Sequence, residues 1–525
     1  MTNYQYNSIS HRIVLTSIMT SHFSTSMMAT YILAIGIFLF ILYTIFSRQK
    51  LPRNIPRIPI WVTIYDTYYG TSRVNFYNRY VRDQAEKHGA VIIWHLGRWS
   101  VHITKPEYLM QMFRDEASFA KGGSYMKVPW GVLGQLFGQN VIDSTGHIWK
   151  QQRNILLPAI KRQFNIAYMK QKSSELRAIL WQDRETQDKD CTIGINIEDH
   201  VQHWALSICC KYFMGINLES VPDIDNRLTR VLTARKKRFM GGITMLFPTL
   251  QRFPWLFPSD RRAFRLVKEF EEIVVEIGKL GPDSESDTDD NTIKGRLNSA
   301  RRDGDISEFQ YRSNMKQLLL AGFEDIESVL LSALVIIAKN PVIQSTLHAE
   351  LASLVPTTYS LEDLDRLPVL LTVILETFRL YPPFPSLTNR YTTQDTLLGD
   401  NINLPAGTWV GWNAYAVQTD ARIWGSDALK FRPSRWGEDI DSINAMFRAQ
   451  QAKAVFIPFS TRSRTCLGVS FTLMQLKIVL YELLNELEWG ICNDGAPTLR
   501  QIYPQGKIAP NSPMTAKRFN NFRGR

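Results

Sequence analysis

The stretch FIPFSTRSRTCLG, residues 456–468, decides the fold expected for this chain. It carries one cysteine, Cys466, which follows a basic run and precedes apolar residues at the spacing of an amphipathic helix: Leu473, Leu476, Leu480, Leu483, Leu484 and Leu487. Cys466 is therefore expected just before a helix N-terminus, where free N–H groups and the helix dipole favour a thiolate. A thiolate on such a loop is a candidate iron ligand, although an isolated cysteine is more often a small buried hydrophobe.

The spacing Phe459-x-x-Arg462-x-Arg464-x-Cys466-x-Gly468 resembles the haem-binding signature of the cytochrome P450 family, Phe-x-x-Gly-x-Arg-x-Cys-x-Gly. Four of the five fixed positions match. Arg462 stands where the family has a glycine, which suits a tight turn beneath the haem. The resemblance implies haem b as the cofactor, with an axial thiolate from Cys466, Phe459 beside the haem, and Arg464 as a ligand of a haem propionate.

Other arginines and a tryptophan match the family's propionate ligands. Trp149 and Arg153 stand four residues apart and so share a helix face, a spacing that structural aromatic–arginine packing often produces. Here they resemble the family's Trp-x-x-x-Arg, whose side chains both bind a propionate. Arg390 matches a further propionate arginine, and a guanidinium suits a carboxylate because its donors form a fork. By position, residues 121–146 correspond to a loop that covers the substrate in the family.

A long helix is predicted from about residue 306 to 339, ending before a proline. Within it, the sequence LAGFED (320–325) resembles the family's oxygen-binding stretch, Ala-Gly-x-Asp/Glu-Thr. Ala321 and Gly322 are expected to leave a flat helix surface for the haem and O₂. Asp325 replaces the usual threonine, and we expect it to relay protons, with Glu324 linking it to solvent. The alternative is that Asp325 faces solvent or caps a turn.

Glu376 and Arg379 are three residues apart on a predicted helix, close enough for an ion pair. Alone, this spacing means little. The sequences LYPP (380–383) and FRPSRW (431–436) follow, and together they resemble the family's Glu-Arg-Arg triad with Arg435 as the third member. The resemblance implies that this network holds the loop of Cys466 in place.

The composition excludes some classes of function. The chain has 525 residues with 61 Lys and Arg against 49 Asp and Glu, a net charge of +12. The basic residues are spread out and accompany no nucleic-acid-binding module, so no nucleic-acid partner is expected. Its five cysteines include no Cys-x-x-Cys pair, which argues against a disulfide framework and for a reducing compartment.

The N-terminal region predicts a membrane anchor. Residues 27–47 form an uncharged apolar run of about 20 residues, enough for one transmembrane helix. Residues 1–26 would be a short non-cytosolic tail, residues 48–60 a basic, proline-rich hinge, and residues 61–525 the catalytic domain. Basic residues follow the run, which favours a single-pass protein of the endoplasmic reticulum membrane with a cytosolic catalytic domain. The apolar, proline-broken segment 239–259 is either a second membrane contact or a buried connection.

The expected fold is therefore mainly α with small β-sheets, a cytochrome P450 fold preceded by one N-terminal transmembrane helix. A hairpin is predicted at 91–94 and 100–104, a helix at 105–113 and a strand at 409–417. The resemblance implies a haem-thiolate monooxygenase that uses O₂ and an NADPH-dependent cytochrome reductase to oxidise a lipophilic small molecule, in secondary metabolism. Candidates for the reductase-docking face are Lys150, Lys161, Arg162 and Arg462. The alternatives are a haem-thiolate isomerase, dehydratase or oxidative coupling enzyme, and a haem-binding membrane protein without catalysis.

Overall fold

The structure, a computed structural model, describes residues 28, 31–32, 35–39, 42–43, 50–69, 72–187, 197–238, 243–281, 291–355, 358–491, 499–501, 508–510 and 514–518. The predicted tail 1–26 lies outside these residues, as does much of the predicted anchor 27–47. Within the described ranges, no single helix has the length and apolarity needed to cross a bilayer. Two consecutive helices pass that test only together, across a bend of 109°.

Most of the described chain is helical, as predicted. The longer helices are α1 (Ile60–Tyr69), α2 (Pro106–Arg114), α3 (Gly146–Lys161), α4 (Ala167–Gln187), α5 (Glu198–Cys209), α6 (Pro222–Arg238), α7 (Pro258–Lys279), α8 (Ile293–Arg302), α9 (Glu308–Lys339), α10 (Pro341–Leu351), α11 (Pro368–Leu380), α12 (Ile440–Ala452) and α13 (Val469–Asn485). Short helical turns that matter below lie at Ser124–Lys127, Ile243–Leu246, Ala414–Gln418 and Arg462–Arg464.

Helix α9 is the centre of the fold. Ser307 and Gln310 form a capping box at its start, with each side chain bonding the backbone N–H of the other. Asn340 ends the helix and Pro341 begins α10 at an angle. Most of α9 is buried, because α5, α7, α11 and α13 all pack against it. The predicted helix is confirmed, with its start two residues later than expected.

The sheets are small and lie at the edge of the helical body. The largest has the order β1 (Ala90–His95), β2 (Arg98–Ile103), β7 (Trp409–Asn413), β4 (Ser386–Thr392), β3 (Phe119–Lys121). Only the β2–β7 pairing in it is parallel. The other strands form two-stranded pairs: β5 (Thr396–Leu398) with β6 (Ile402–Leu404), β8 (Leu487–Ile491) with β11 (Met514–Arg518), and β9 (Leu499–Gln501) with β10 (Ile508–Pro510).

Two predicted boundaries are wrong for local reasons. The strand expected over 409–417 ends at Asn413, whose side chain accepts the N–H of Ala416 and caps the turn Ala414–Gln418. Leu487 was expected to continue the helix after Cys466, but α13 ends at Asn485 and Leu487 begins β8. The predicted hairpin is confirmed as β1 and β2, and the predicted helix after it as α2.

Candidate functional site

The loop of Cys466 is fixed by backbone hydrogen bonds and ring packing. The N–H of Cys466 donates to the carbonyl of Phe459 at 2.8 Å, which closes the loop on itself. The ring of Phe459 packs against Phe378 of α11, with centroids 4.7 Å apart. Helix α13 begins three residues after the cysteine, at Val469. Cys466 therefore lies just before a helix N-terminus, where the periodicity placed it.

Arg462 adopts a backbone conformation that favours glycine. Its φ is +59°, in the left-handed region, and the turn is held by the N–H and hydroxyl of Thr465, which donate to the Arg462 carbonyl at 3.2 and 2.8 Å. An L-residue pays roughly 1–2 kcal/mol for this conformation because its Cβ approaches the following carbonyl. The signature therefore has glycine at this position because the backbone is left-handed there. In this chain Arg462 adopts the same conformation with its strain.

We predict that Arg462→Gly makes the protein more stable than Arg462→Ala by about 1 kcal/mol. Both changes remove the same exposed side chain, so the difference isolates the backbone strain at φ +59°. Denaturant unfolding of the two haem-loaded variants measures it. Equal midpoints would show that the loop relaxes around any side chain at this position.

Cys466 lies on the wall of a cavity, and the residue is exposed there. Desolvation by the protein packed near the thiol raises its pKa to about 11, while a hydrogen bond from the Gly468 N–H opposes that shift. The Gly468 N–H, next to the start of α13, acts in the direction expected of a helix N-terminus, and desolvation acts against it. A metal ion bound to the sulfur would favour the thiolate, as it does for a coordinating thiol.

The cavity brings the predicted residues together. It has a volume of about 270 Å³ and is lined by Cys466 and its loop on one side and by Ala321, Gly322 and Asp325 of α9 on another. Among the described residues, its charged lining consists of Lys121, Asp325 and Arg464. Most of the remaining lining is apolar: Val141, Ile142, Ile160, Phe213, Leu318, Phe384, Leu387 and Phe471 among others.

Arg464 is clamped in one orientation. Its Nε lies 2.9 Å from Glu116 Oε2, its Nη1 donates to the Ser144 carbonyl at 3.0 Å, and its guanidinium lies 3.7 Å from the ring centroid of Trp149. Ser463 also donates to Glu116. Although burial opposes it, these hydrogen bonds and the charge of Arg464 hold the pKa of Glu116 below its usual value. Only Nη2 of Arg464, which is buried, has no partner in the described structure.

The other predicted propionate arginines show the same feature. Arg390 is fully buried in β4, and its Nη1 donates to the Phe119 carbonyl at 2.8 Å. Burial lowers its pKa to about 10. Arg153 lies 5.9 Å from the ring centroid of Trp149 on α3. The Nε atoms of Arg153 and Arg390 are buried without a hydrogen-bond partner in the part of the chain described here.

These observations test whether the residues fit haem b, which carries two carboxylates. Arg153, Arg390 and Arg464 each keep a buried guanidinium nitrogen without an acceptor. Such donors are costly unless an acceptor reaches them, and a carboxylate is the acceptor that guanidinium geometry suits best. Together with Cys466 on the cavity wall, the residues present fit the group.

Helix α9 is placed as predicted, but its glycine has a second reason. A Cβ on Gly322 would lie 2.4 Å from the Sγ of Cys209 in α5, so the close packing of the two helices requires a glycine there. Gly322 and Ala321 also line the cavity, as expected. Asp325 also lines the cavity, and its carboxylate acts to raise the pKa of Cys466.

Glu324 faces a different way. It is buried and forms an ion pair with Arg235 near the end of α6, and it is absent from the cavity lining. One turn later, Glu327 pairs with Lys236 of α6. The two ion pairs tie α6 to α9. The predicted link from Asp325 through Glu324 to solvent would therefore have to pass through this buried pair.

The carboxylate of Glu376 accepts hydrogen bonds from five donors. Nε and Nη2 of Arg379 each donate to it at 2.8 Å, and Nε of Arg435 donates at 2.9 Å. The indole N–H of Trp436 and the backbone N–H of Arg432 complete the set, both at 3.0 Å. The structure thus brings the predicted triad together. Arg379 also donates to the carbonyls of Gln418 and Ala428, which joins α11 to the segment before the cysteine loop.

Of the basic residues suggested for docking a reductase, Lys150, Lys161 and Arg462 are exposed. Arg162 is only partly exposed, and it donates to the Tyr212 carbonyl at 2.7 Å. Lys150 and Lys161 lie on α3, which also carries Trp149 and Arg153, and Arg462 is on the cysteine loop.

Two site residues were missed by sequence reasoning. Glu116 follows α2 and clamps Arg464, 348 positions away in the chain. Lys121 ends β3 and contributes a buried ammonium to the cavity. Neither residue belongs to a periodic pattern or a spaced motif. The sequence therefore carried no clear signal for either residue.

The chain resembles known proteins over most of its length. A family model described as cytochrome P450 matches residues 52–516. The chain is 36% identical over 445 residues to the cytochrome P450 monooxygenase xanG of Aspergillus fumigatus, covering 83% of this chain and 82% of the relative. It is 27% identical to cytochrome P450-DIT2 of Saccharomyces cerevisiae, covering 91% and 96%. The solved haem domain of cytochrome P450DA has the same fold, with a TM-score of 0.69 and 18% identity over 90% of this chain and 99% of that one.

Proposed function

This chain belongs to the cytochrome P450 family, and we propose that it oxidises a lipophilic small molecule with electrons from an NADPH-dependent reductase. The family places it among the monooxygenases, with haem b held by a cysteine thiolate. The observation that carries the proposal is the cavity itself. The Cys466 loop and helix α9 both line it, and most of its other lining is apolar. Both relatives named above are fungal members of the family, and we extend the proposal to a role in secondary metabolism.

The chain's own residues have defined tasks. Cys466 would hold the iron, while Trp149, Arg153, Arg390 and Arg464 would hold the propionates. When bound, haem b supplies the activation of O₂ with electrons delivered one at a time. The thiolate favours this chemistry by donating electron density. The apolar lining desolvates a lipophilic substrate and excludes water.

The experiment that tests this function supplies NADPH and a purified reductase to the full chain and screens fungal metabolite extracts for oxidised products. Products that need both NADPH and O₂ support a monooxygenase. Products formed with a peroxide substrate alone, without NADPH, favour the isomerase or dehydratase alternative. Absence of any substrate-induced change in the haem spectrum favours a non-catalytic haem protein. Docking at the basic face of α3 and the cysteine loop should make haem reduction by the reductase slower at high salt.

Asp325 is proposed to hold a proton at its carboxyl group and deliver it into the cavity. Replacing Asp325 by alanine should raise, several-fold, the share of NADPH electrons released as peroxide, because no acid remains on that wall. Asp325→Asn is the matched control, since it keeps the size and hydrogen bonding but cannot release a proton. Peroxide released per NADPH consumed measures both variants. Coupling as tight as in the wild type would remove Asp325 from this role.

We propose that the chain is anchored in the endoplasmic reticulum membrane with its catalytic domain in the cytosol. The described residues of the apolar stretch are helical and mostly exposed, Ile35, Phe38 and Leu39 among them. Helix α1 also exposes aromatic side chains: Trp61, Tyr65, Tyr68 and Tyr69. It packs beside the turn Ile243–Leu246, which leads to exposed Trp255. Tryptophan and tyrosine favour the membrane–water interface, which supports a second contact there.

A chain beginning at residue 50 should therefore remain partly bound to microsomes, and replacing Trp61 and Trp255 by serine should release it. Both indoles are more than half exposed, at 64% and 62%. Val342→Ser is the matched control, because Val342 is 80% exposed on α10, which packs against α9, α11 and α13 instead. The fraction sedimenting with membranes measures binding. Equal retention of the double variant and the control would argue for a single contact through the anchor.

A further inference from the structure

Asn389 is a buried amide on the wall of the cavity. The residue is 4% exposed, and among the described residues it is the only asparagine or glutamine that lines the cavity. Its Oδ1 is buried without a hydrogen-bond partner in the described part of the chain. Burying an amide oxygen is costly when no donor replaces the water that it bonded in the unfolded chain. A ligand that bonds this amide would recover part of that cost.

The backbone of β4 has a bulge at Asn389. Thr388 pairs with Gly411 of β7 and Arg390 pairs with Val410, so residues two positions apart face consecutive partners. Asn389 is therefore the extra residue, without a partner of its own in β7. Bulges of this kind occur next to active sites, where they change the direction of a side chain.

Hydrogen bonds hold the chain on both sides of the bulge. The Asn389 carbonyl accepts the N–H of Gly122 at 2.9 Å, and the Thr388 carbonyl accepts a hydrogen bond from Lys127. On the other side, Nη1 of Arg390 donates to the Phe119 carbonyl at 2.8 Å. The amide is thus held in place before a ligand binds, which reduces the entropy that binding would cost.

The cavity wall around this part of the chain is apolar. Phe384 and Leu387 come shortly before Asn389 and line the cavity, and α9 contributes Leu318 and Ala321. A pocket that is mostly apolar fixes the orientation of its ligand through a few polar groups. Asn389 can act as such a group for a lipophilic molecule that carries a polar end.

We propose that the amide of Asn389 binds a hydroxyl group of the substrate, which makes the substrate a hydroxylated molecule whose remaining surface is apolar. This inference rests on the proposed function, because it assigns a substrate class to the same cavity. A hydroxyl suits an amide because each has a donor and an acceptor, so that either amide atom can take part. The bond fixes one end of the substrate and thereby selects the position presented for oxidation.

The test uses the full, haem-loaded chain and a matched pair of probes, nonyl alcohol and decane, which differ by a hydroxyl in place of a methyl group. Their dissociation constants are read from the shift of the haem absorption band on titration. The wild type should bind the alcohol more tightly than the alkane. Asn389→Leu keeps the size of the side chain and removes the amide. It should weaken binding of the alcohol by about tenfold, as expected for loss of a buried hydrogen bond, and leave decane within about twofold.

Asn298→Leu is the matched control. Asn298 lies on α8, is 8% exposed and has a buried Oδ1 without a partner in the described structure, but it does not line the cavity. This variant should keep the alcohol-to-alkane ratio of the wild type. Asn389→Ala serves as a second variant should Asn389→Leu fail to take up haem, and it should lose the same preference.

The rate of haem transfer to excess apomyoglobin is measured in parallel, because the amide could bond the cofactor instead. Faster haem loss in Asn389→Leu with an unchanged probe ratio would assign the amide to haem b and overturn the proposal. An unchanged ratio with unchanged haem transfer also overturns it, as does equal weakening of both probes or a wild type that shows no preference for the alcohol. None of these readouts requires turnover, whereas failure of the proposed function would be seen as absence of NADPH-dependent oxidation in the wild type.

Discussion

Replacing Cys466 by serine is expected to abolish the long-wavelength absorption band that thiolate-ligated haem gives when reduced under carbon monoxide. A serine hydroxyl stays protonated at neutral pH, so the iron would lose its anionic sulfur ligand. The protein's own groups leave the pKa of the cysteine at about 11, and a bound metal ion lowers the pKa of a coordinating thiol. A serine hydroxyl is less acidic than a thiol and would not ionise in the same way. Activity with NADPH should be lost together with the band.

The matched control is Cys209→Ser. Cys209 is buried, and its Sγ donates to the Leu319 carbonyl of α9 at 3.6 Å, a bond that a serine hydroxyl can replace. This variant should keep the absorption band. If Cys466→Ser kept the band and Cys209→Ser lost it, another residue would be the ligand and the reading of the cavity would be wrong.

Replacing Glu376 by glutamine is expected to prevent haem incorporation. The change removes the carboxylate that Arg379 and Arg435 share, which takes the counter-charge from the buried Arg379 guanidinium and leaves Arg435 with its longer contact to Asp427 at 3.5 Å. Breaking a buried charge pair in this way lowers the free energy of unfolding by about 3–5 kcal/mol. The damage should reach the cysteine loop, because Arg379 and Ile457 both bond to Gln418. Haem content per protein and the denaturant midpoint measure the effect.

Glu272→Gln is the control, because it also removes one carboxylate from an ion pair. Glu272 and Lys268 are 60% and 81% exposed and 3.8 Å apart on α7. An exposed pair of this kind contributes roughly 0–1 kcal/mol, so haem content should not change. Normal haem content in Glu376→Gln would show that the network is dispensable for holding the cysteine loop.

Much of the fold was predictable because it depends on local signals. The helical pattern and the proline that follows the central helix placed α9 within two residues. The boundaries that failed depended on other parts of the chain. Leu487 is in a strand and not in the predicted helix because it pairs with Arg518 in β11. No local feature of the sequence predicts a strand partner 31 positions away.

In the candidate site, too, some residues were predictable from local motifs and others depend on distant parts of the chain. Cys466, Glu376 and Arg379 stand in short spaced motifs, and the structure places them where such motifs require. Glu324 also stands in a motif, yet its side chain turns to Arg235 of α6 instead of the cavity. Successive helical residues point about 100° apart, so the direction of one side chain depends on which neighbour packs there.

The amino-acid sequence alone determined the family, the cysteine that holds the iron, the long central helix and the pairing of Glu376 with Arg379. These rest on periodicity and on spacings of a few residues, which the chain encodes locally. Only the tertiary structure decided that Glu116 binds Arg464, that Glu324 pairs with Arg235 instead of lining the cavity, and that Lys121 lines the cavity. The reason is that charge and burial depend on groups brought together from distant positions, and such distances leave no pattern in the sequence.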